Sequence, residues 1–135
     1  MKIFDLFKTT PAASSDPSKT LLSMTFKHSK GFRGFKRIGL VTYKDNVAQK
    51  NIKKLLDAEI SEVTLTVKVD DKNFTKPERF VDVAADGLHI GTHYPNGDNR
   101  HINKILNGEI DKVHIRLEDA GDRYGSQLFI HIKEK

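Results

Sequence analysis

The segment SEVTLTVKVD, residues 61–70, alternates between apolar and polar side chains along its length. Its apolar members are Val63, Leu65, Val67 and Val69, and its main polar members are Glu62, Thr64, Thr66 and Lys68. Because successive side chains of a strand point to opposite faces, this pattern predicts a strand with one face in a core and the other in solvent. Such half-buried strands are typical of antiparallel sheets.

Signals on the N-terminal side of this strand predict two further strands and a helix. Residues 21–28 carry the first strand signal, and residues 33–43, RGFKRIGLVTY, carry a longer second one. Residues 47–57 predict a helix with either Asp45 or Asn46 as its N-cap.

The C-terminal side predicts a hairpin around the Asp86-Gly87 turn, then a second helix and two strands. We expect the second helix to begin at an Asp98 N-cap and to end at Asn107-Gly108. Residues 110–118 and 126–133 predict the last two strands. The order ββ-α-βββ-α-ββ, with mostly antiparallel neighbours, predicts an α+β fold whose strands form a small curled sheet or partly open barrel.

The composition is that of one globular domain in a reducing compartment. The chain has 135 residues, of which 37% are hydrophobic and 30% charged, and it has no cysteine. The lack of cysteine excludes a disulfide framework, a thiol nucleophile and a thiolate metal site. No apolar run approaches the roughly 20 residues of a membrane span, and the opening MKIFDLFK is too short and too charged for a signal peptide. We therefore expect a cytoplasmic protein.

Residues 1–20 are predicted to be an N-terminal tail with a flexible linker, and residues 21–135 the folded domain. The linker is TTPAASSDPSKT, residues 9–20, which is rich in Ser, Thr, Pro and Ala. The apolar octapeptide before it has three open interpretations: it docks on the domain, it docks on a partner, or it is disordered.

Positive charge is concentrated in the N-terminal part of the chain. Residues 1–56 hold twelve Lys or Arg against three acids, whereas residues 57–135 hold eleven against fifteen. Within residues 27–54 there are nine basic residues and one acid, Asp45. This asymmetry indicates a basic face for a polyanionic partner such as nucleic acid. The alternative is a set of solvated lysines that only keep the protein soluble.

The sequence carries no motif of a known catalytic site. G-x-S-x-G, the P-loop and G-x-G-x-x-G are all missing. Of the six histidines, His89 and His93 fall across a predicted strand end, and no H-E-x-x-H accompanies them. The acid pairs Asp70-Asp71 and Glu118-Asp119 are typical of solvated turns. We therefore expect no enzyme activity, no metal and no cofactor, with a metal-dependent nuclease as the less favoured alternative.

Aromatic residues interleave with the basic segment in FKHSKGFRGFKR, residues 26–37. Rings that stack on bases, beside Lys and Arg that follow the backbone, are how small barrels hold single strands. For any single phenylalanine here, a place in the core is the favoured interpretation. Tyr43 is the exception, because it lies at a strand-to-helix junction and Lys44 follows it.

Several short motifs follow one another in order within residues 35–132. They include Gly39-Leu40-Val41-Thr42-Tyr43, Asp70-Asp71-Lys72-Asn73-Phe74, Val81-Asp82-Val83 and Gly87-Leu88-His89-Ile90-Gly91. Their order and spacing resemble the HIRAN domain in its stand-alone bacterial form. That family has a strand ending Gly-Val-x-Tyr/Phe, a loop of the type Asp-Pro-x-Asn-x-Tyr-Asp, a strand of the type Ala-Ile-x-Val and a turn of the type Gly-x-x-Ile-Gly-Tyr.

The resemblance implies a modified OB-like β-barrel with two helices that grips single-stranded DNA, notably a 3′ end, at stalled forks or damage. It places Thr42 and Tyr43 at the end of the first core strand, Phe74 in the loop, and Thr92-His93-Tyr94 after the Ile-Gly turn. The loop departs from the family because it lacks Asp-Pro and has Thr75 where an Asp follows the aromatic residue. If that Asp reads the 3′-hydroxyl, we expect strand binding to survive without end specificity.

The preferred hypothesis is a non-catalytic module for single-stranded nucleic acid, DNA rather than RNA, in repair or replication. Its site residues would be Lys36, Arg37, Thr42, Tyr43, Lys44, Phe74, Lys76, His93 and Tyr94. The cations would neutralise phosphates, and Tyr43 and Phe74 would clamp the terminal bases. The rival hypothesis is a protein-interaction or scaffold domain whose basic strand meets an acidic partner.

Overall fold

Seven strands and two helices build the described part of the chain, residues 18–70 and 78–133, in a computed structural model. In chain order the elements are β1 (Ser18–Lys27), β2 (Lys36–Gly39), α1 (Asn46–Leu55), β3 (Glu62–Asp70), β4 (Glu78–Ala85), β5 (Leu88–His93), α2 (Arg100–Leu106), β6 (Ile110–Asp119) and β7 (Tyr124–Ile132). The predicted α+β class and element order are confirmed.

The strands form two sheets with antiparallel ladders. One sheet has the order β1-β3-β4-β5, and the other has the order β2-β7-β6. Two isolated bridges join the sheets, an antiparallel one between Val41 and Thr92 and a parallel one between His28 and Val113. The described strands therefore lie in two sheets that meet at two points rather than in one continuous ladder.

β3 lies between β1 and β4, and one of its faces is buried, as its alternating sequence predicts. Its inward residues Val63, Leu65 and Val67 are fully buried. On the outer face the hydroxyl oxygens of Thr64 and of Thr25 on β1 are 3.0 Å apart. One face of β3 thus packs in the core, and the other makes side-chain contacts with the neighbouring strand on the outer surface of the sheet.

Both helices place their apolar sides against the sheets. α1 buries Ala48, Ile52 and Leu55, and α2 buries Ile102 and Ile105. Burial of one such isoleucine side chain stabilises the fold by roughly 1.5–3 kcal/mol. Since α1 contacts both β5 and β7, its apolar face holds strands from the two sheets together.

The N-terminus of α1 follows the prediction, and that of α2 does not. Asp45 caps α1 by accepting a hydrogen bond from a first-turn N–H at 3.0 Å, and its second oxygen lies 2.5 Å from His89 Nε2. At α2 the N-cap position belongs to Asn99, which makes no side-chain cap bond, so the Asp98 prediction is wrong by one residue. The Asp98 carboxylate accepts from the Arg100 guanidinium at 2.9–3.2 Å and from the Arg100 backbone N–H at 3.2 Å.

The strand predicted over residues 33–43 is shorter than expected. β2 covers Lys36–Gly39 and pairs with β7. The chain turns just before β2 at Gly34, which has a φ of 82°. After Gly39 it changes partner, and the Val41 N–H donates to Thr92 O at 2.8 Å. The strand signal over residues 33–43 is continuous in sequence, but residues 36–44 pass from one sheet to the other. The segment therefore contributes to both sheets.

The first strand begins earlier than predicted. β1 starts at Ser18, inside the segment assigned to the linker. Residues 1–17, with the octapeptide and most of the linker, lie outside the described residues, as do residues 71–77 and 134–135. In the part of the chain that the structure describes, no helix is long and apolar enough to cross a membrane.

Candidate nucleic-acid interface

Three neighbouring hollows border residues 36–44, where the chain crosses between the sheets. The groove is formed by Arg37, residues 39–44, Glu118 and residues 125–127. The basic pocket is formed by Lys36, Arg37, Arg100, His101 and Lys104. The side hollow is formed by Val41, residues 44–47, Thr92 and Tyr94. Because Arg37 lines the groove and the basic pocket, and Lys44 lines the groove and the side hollow, the three hollows adjoin one another. We call the three together the interface surface.

The groove is the largest of the three, with a volume of about 590 Å³. Arg37, Tyr43 and Lys44 are exposed along it. Thr42 is only 4% exposed and Ser126 5%, and the Ser126 hydroxyl donates to a backbone carbonyl at 2.8 Å. Thr42 therefore belongs to the wall of the groove, and the exposed cations and ring are the groups that can meet a ligand.

Tyr43 presents a ring that is 48% exposed. Its backbone neighbour Thr42 is held by two hydrogen bonds: the carbonyl accepts from the Asp45 N–H at 3.1 Å and from Gln49 Nε2 at 2.9 Å. On the other side, the Arg123 guanidinium carbon lies 5.6 Å from the ring centroid. An exposed ring on a fixed turn with a cation beside it is suited to stacking on a base.

The wall of the groove depends on a close approach at Gly91 of β5. A Cβ at this position would lie 2.9 Å from Thr42 Cγ2, 3.0 Å from Leu40 Cβ and 3.2 Å from Ser126 Oγ. No side chain fits there without displacement of these neighbours. The lack of a side chain at residue 91 thus allows residues 40–42 to lie directly against β5.

The basic pocket brings together cations from two elements distant in sequence. Lys36 and Arg37 come from β2, and Arg100, His101 and Lys104 from α2. Its volume is about 360 Å³, and no carboxylate side chain of the described residues lines it. Arg100 pairs with Asp98 and, mainly through its side-chain hydrogen bonds, lowers the pKa of that carboxyl to about 2.

Two histidines lie edge to face beside this pocket, with 6.1 Å between the ring centroids of His93 and His101. His93 Nδ1 donates to Gly39 O at 3.3 Å. His93 Nε2 and His101 Nδ1 are buried and have no hydrogen-bond partner among the described residues. Burial lowers the pKa of both imidazoles, and for His101 the neighbouring His93 lowers the pKa further. Both rings are therefore mainly uncharged at neutral pH.

The side hollow, with a volume of about 350 Å³, carries the second exposed tyrosine. Tyr94 is 48% exposed, and its ring centroid is 5.8 Å from that of Phe80. Asp45 adds a negative charge: burial raises the pKa of its carboxyl, but hydrogen bonds from Ala48 and His89 outweigh burial and keep the pKa below its usual value. This part of the interface surface is thus more apolar and less positive than the basic pocket.

The structure describes seven of the nine predicted site residues and places all seven at or beside the interface surface. Lys36, Arg37, Tyr43, Lys44 and Tyr94 are exposed there, whereas Thr42 is buried and His93 is half-buried. The remaining two residues, Phe74 and Lys76, lie outside the described residues.

Sequence reasoning missed the contribution of α2. Arg100, His101 and Lys104 were not predicted as site residues, although the i, i+4 spacing of Arg100 and Lys104 puts both on one side of the helix. Gln127 and Glu118 of the groove were also missed, and no local signal in the sequence marks them. Their place follows from the pairing of β6 and β7 next to β2.

Two of the phenylalanines in FKHSKGFRGFKR pack on the second sheet. The Phe32 ring lies 4.5 Å from the ring of His114 and 4.5 Å from that of Phe129. The Phe35 ring lies 5.2 Å from that of His131. Phe32 is 38% exposed and Phe35 is half-buried, so these two rings pack on the outside of the second sheet and not in the core that the favoured interpretation expects. Of the cations of this segment, Lys36 and Arg37 line the interface surface.

Among the residues that the structure describes, no group of three or more His, Asp or Glu side chains is arranged to hold a metal ion. No protein-family model matches the chain, and no curated protein or solved structure matches it. The resemblance to the HIRAN domain therefore stays a prediction based on motif order.

Proposed function

We propose that this chain is a non-catalytic, cytoplasmic module that binds single-stranded nucleic acid, DNA rather than RNA, along the interface surface. The observation that carries the proposal is that the three hollows adjoin one another. Arg37 lines the groove and the basic pocket, Lys44 lines the groove and the side hollow, and the exposed residues Tyr43 and Tyr94 lie in the groove and the side hollow.

The cations of the interface surface favour an anionic strand. Lys36, Arg37, Lys44 and Lys104 make no ion pair with any described carboxylate. Cations that are not held in an ion pair attract phosphates and release condensed counterions when a strand binds. Binding by such groups is steeply salt-dependent, which is the first property to test.

The two tyrosines favour a strand with unpaired bases. Val41 and Thr92 form an isolated antiparallel bridge. Tyr43 lies two residues after Val41, and Tyr94 lies two residues after Thr92. The rings therefore lie on opposite sides of one bridge, and a strand that crosses it can meet both. Only unpaired bases expose the faces on which these rings can stack.

The position of the interface surface also suits an OB-like barrel of the HIRAN type, which we propose as the finer description of the fold. The two isolated bridges are the contacts that would close such a barrel, one on each side of the second sheet. Residues 36–44 would then lie across one closure, where the resemblance to the HIRAN domain puts the strand-binding site.

The test is a fluorescence-anisotropy titration of the full chain with a short single-stranded DNA, at low and at moderate salt. We expect binding that weakens as salt is raised. A comparison of a free 3′-hydroxyl with a dideoxy 3′ end decides end recognition. Tighter binding to the free hydroxyl would support a HIRAN-like end pocket, and equal binding would support a groove that reads the strand alone. No binding at low salt would overturn the proposal.

A protein-interaction domain is the second candidate, and β1 is the observation that favours it. β1 has ten residues and forms a ladder with β3 on one side. On its other side the described residues offer it only the single bridge of His28 to Val113. An edge strand of this kind can pair with a strand from a partner.

Deletion of residues 1–17 separates the two candidates and leaves β1 whole. The nucleic-acid proposal expects unchanged DNA affinity, because the described residues assigned to the interface surface all stay in the shortened chain. The interaction proposal, in which the octapeptide serves as a docking tail, expects the loss of a partner that the full chain captures.

A further inference from the structure

We propose that the basic pocket is a site for the terminal phosphate monoester of a bound strand. This inference rests on the proposed function and deepens it, because it names the chemical group that one part of the interface surface receives. The site consists of Lys36 and Arg37 from β2 with Arg100, His101 and Lys104 from α2.

The pocket is built by anchored elements. Ile38 of β2 is 2% exposed, and Ile102 and Ile105 of α2 are 0% and 1% exposed. With these residues fixed in the core, the backbone positions that carry the five pocket side chains are held in place. A preorganised cluster loses less conformational entropy on binding than side chains on a free loop.

The charge of the pocket exceeds what a phosphodiester neutralises. Lys36, Arg37 and Lys104 lack an ion pair with any described carboxylate, and only Arg100 has one, with Asp98. A phosphate monoester carries about −1.5 to −2 charges at pH 7 and three acceptor oxygens. An internal diester carries a single charge, so the pocket is better matched to a strand terminus than to the middle of a strand.

His101 provides a reporter inside the pocket. Its Nδ1 has no partner among the described residues, and the charged or titratable groups that act on it are His93 of β5, Lys36 of β2, Asp98 and Arg100. A bound phosphate dianion adds negative charge next to this ring and stabilises its protonated form. Occupation of the pocket is therefore expected to raise the pKa of His101.

The experiment compares three otherwise identical single strands by anisotropy: one with a 5′-phosphate, one with a 3′-phosphate and one with hydroxyls at both ends. We expect one phosphorylated strand to bind roughly five- to tenfold more tightly than the hydroxyl strand, and the two phosphorylated arms show which end enters the pocket. Lys104→Gln is expected to abolish this preference. Lys53→Gln, which removes the same charge from α1 outside the three hollows, is expected to keep it.

Equal affinity for all three strands would overturn the inference and leave the proposed function standing. If no strand binds, the proposed function fails, and NMR titration of His101 with thymidine 5′-monophosphate then tests the pocket by itself. If the nucleotide raises the pKa of His101 in the parent chain and Lys104→Gln removes that rise, the pocket is a phosphate site that does not require a bound strand. An unchanged His101 titration would overturn the pocket as well.

Discussion

The side chain of Gln49 clamps the backbone of Tyr124 in both directions. Its Nε2 donates to Tyr124 O at 2.8 Å, and its Oε1 accepts from Tyr124 N–H at 2.9 Å. The second hydrogen of the same amide goes to Thr42 O at 2.9 Å. One side chain of α1 thus joins the turn that carries Tyr43 to the start of β7, where Arg123 approaches the Tyr43 ring.

Gln49→Ala should loosen this turn. It removes three hydrogen bonds and leaves partly buried backbone groups without partners, so we expect a loss of about 1–3 kcal/mol in the free energy of unfolding. DNA affinity should fall as well, because Tyr43 is no longer held. Urea unfolding and anisotropy measure the two effects. Lys50→Ala, at the next and exposed position of α1, is the control and should change neither by much.

Tyr43→Ala should weaken DNA binding without unfolding the protein. Loss of one stacked base contact of about 1–3 kcal/mol corresponds to roughly five- to more than a hundredfold in affinity. Tyr43→Phe keeps the ring and should bind nearly as well as the parent. If Tyr43→Ala binds with unchanged affinity, Tyr43 is not part of the site.

Arg37→Gln should reduce the salt dependence of binding. Arg37 lines both the groove and the basic pocket, so it is placed to neutralise one phosphate. The slope of log affinity against log salt should become shallower by about 0.7 for a single strand. The slope for Lys53→Gln should equal that of the parent chain. If the slope changes by the same amount in Arg37→Gln and Lys53→Gln, only the net charge of the chain matters.

Gly91→Ala should disturb the wall of the groove. The added Cβ would meet Thr42 Cγ2 at 2.9 Å and Leu40 Cβ at 3.0 Å, and overpacking of this kind typically costs about 1–3 kcal/mol. The matched control is Gly39→Ala, because a Cβ at Gly39 meets nothing within 4 Å. Thermal unfolding of the two variants compares them, and equal midpoints would contradict the close approach.

Stability should fall as the pH drops below about 6.5, the ordinary pKa of histidine. Burial lowers the pKa of His28, His93 and His101, so the unfolded chain binds protons at a higher pH than the folded one. The resulting stability is fully present above the unfolded pKa and is lost as the pH falls through the folded values. Thermal midpoints at several pH values between about 7.5 and 5 measure this loss.

Substitution of His28 is the most direct test of this pH dependence of the thermal midpoint. His28 Nε2 lies 3.0 Å from Ile115 N–H and 3.3 Å from Ile115 O. The neutral nitrogen accepts from the N–H, and protonation would exchange that bond for the longer one donated to the carbonyl. His28→Gln should therefore be less stable at pH 7.5 and should show a weaker dependence on pH than the parent. If the stability of His28→Gln depends on pH as strongly as that of the parent, the loss of stability comes from His93 and His101.

Short-range patterns predicted most of the elements. The alternation of residues 61–70 identified β3, and the apolar spacing of Ile52 and Leu55 identified α1. The Asp86-Gly87 turn placed the hairpin correctly: Asp86 has a φ of 49° and Gly87 of 82°, which suits the residue types found there. The α2 N-cap prediction was wrong by one residue, because Asn99 takes the cap position while Asp98 bonds both the guanidinium and the backbone N–H of Arg100.

Local patterns were enough to predict the elements, their order and the concentration of positive charge in residues 1–56, because these depend on neighbours within a few residues. Where β2 ends depends on tertiary contacts, since the chain pairs with β7 only as far as Gly39 and Val41 then bridges to Thr92 of β5. The tertiary structure also decided that Lys36 and Arg37 meet Arg100 and Lys104, some 60 residues later in the chain. Both outcomes follow from strand pairing and helix packing between segments that are distant in sequence. The residue pattern within one segment does not show which distant segment it contacts.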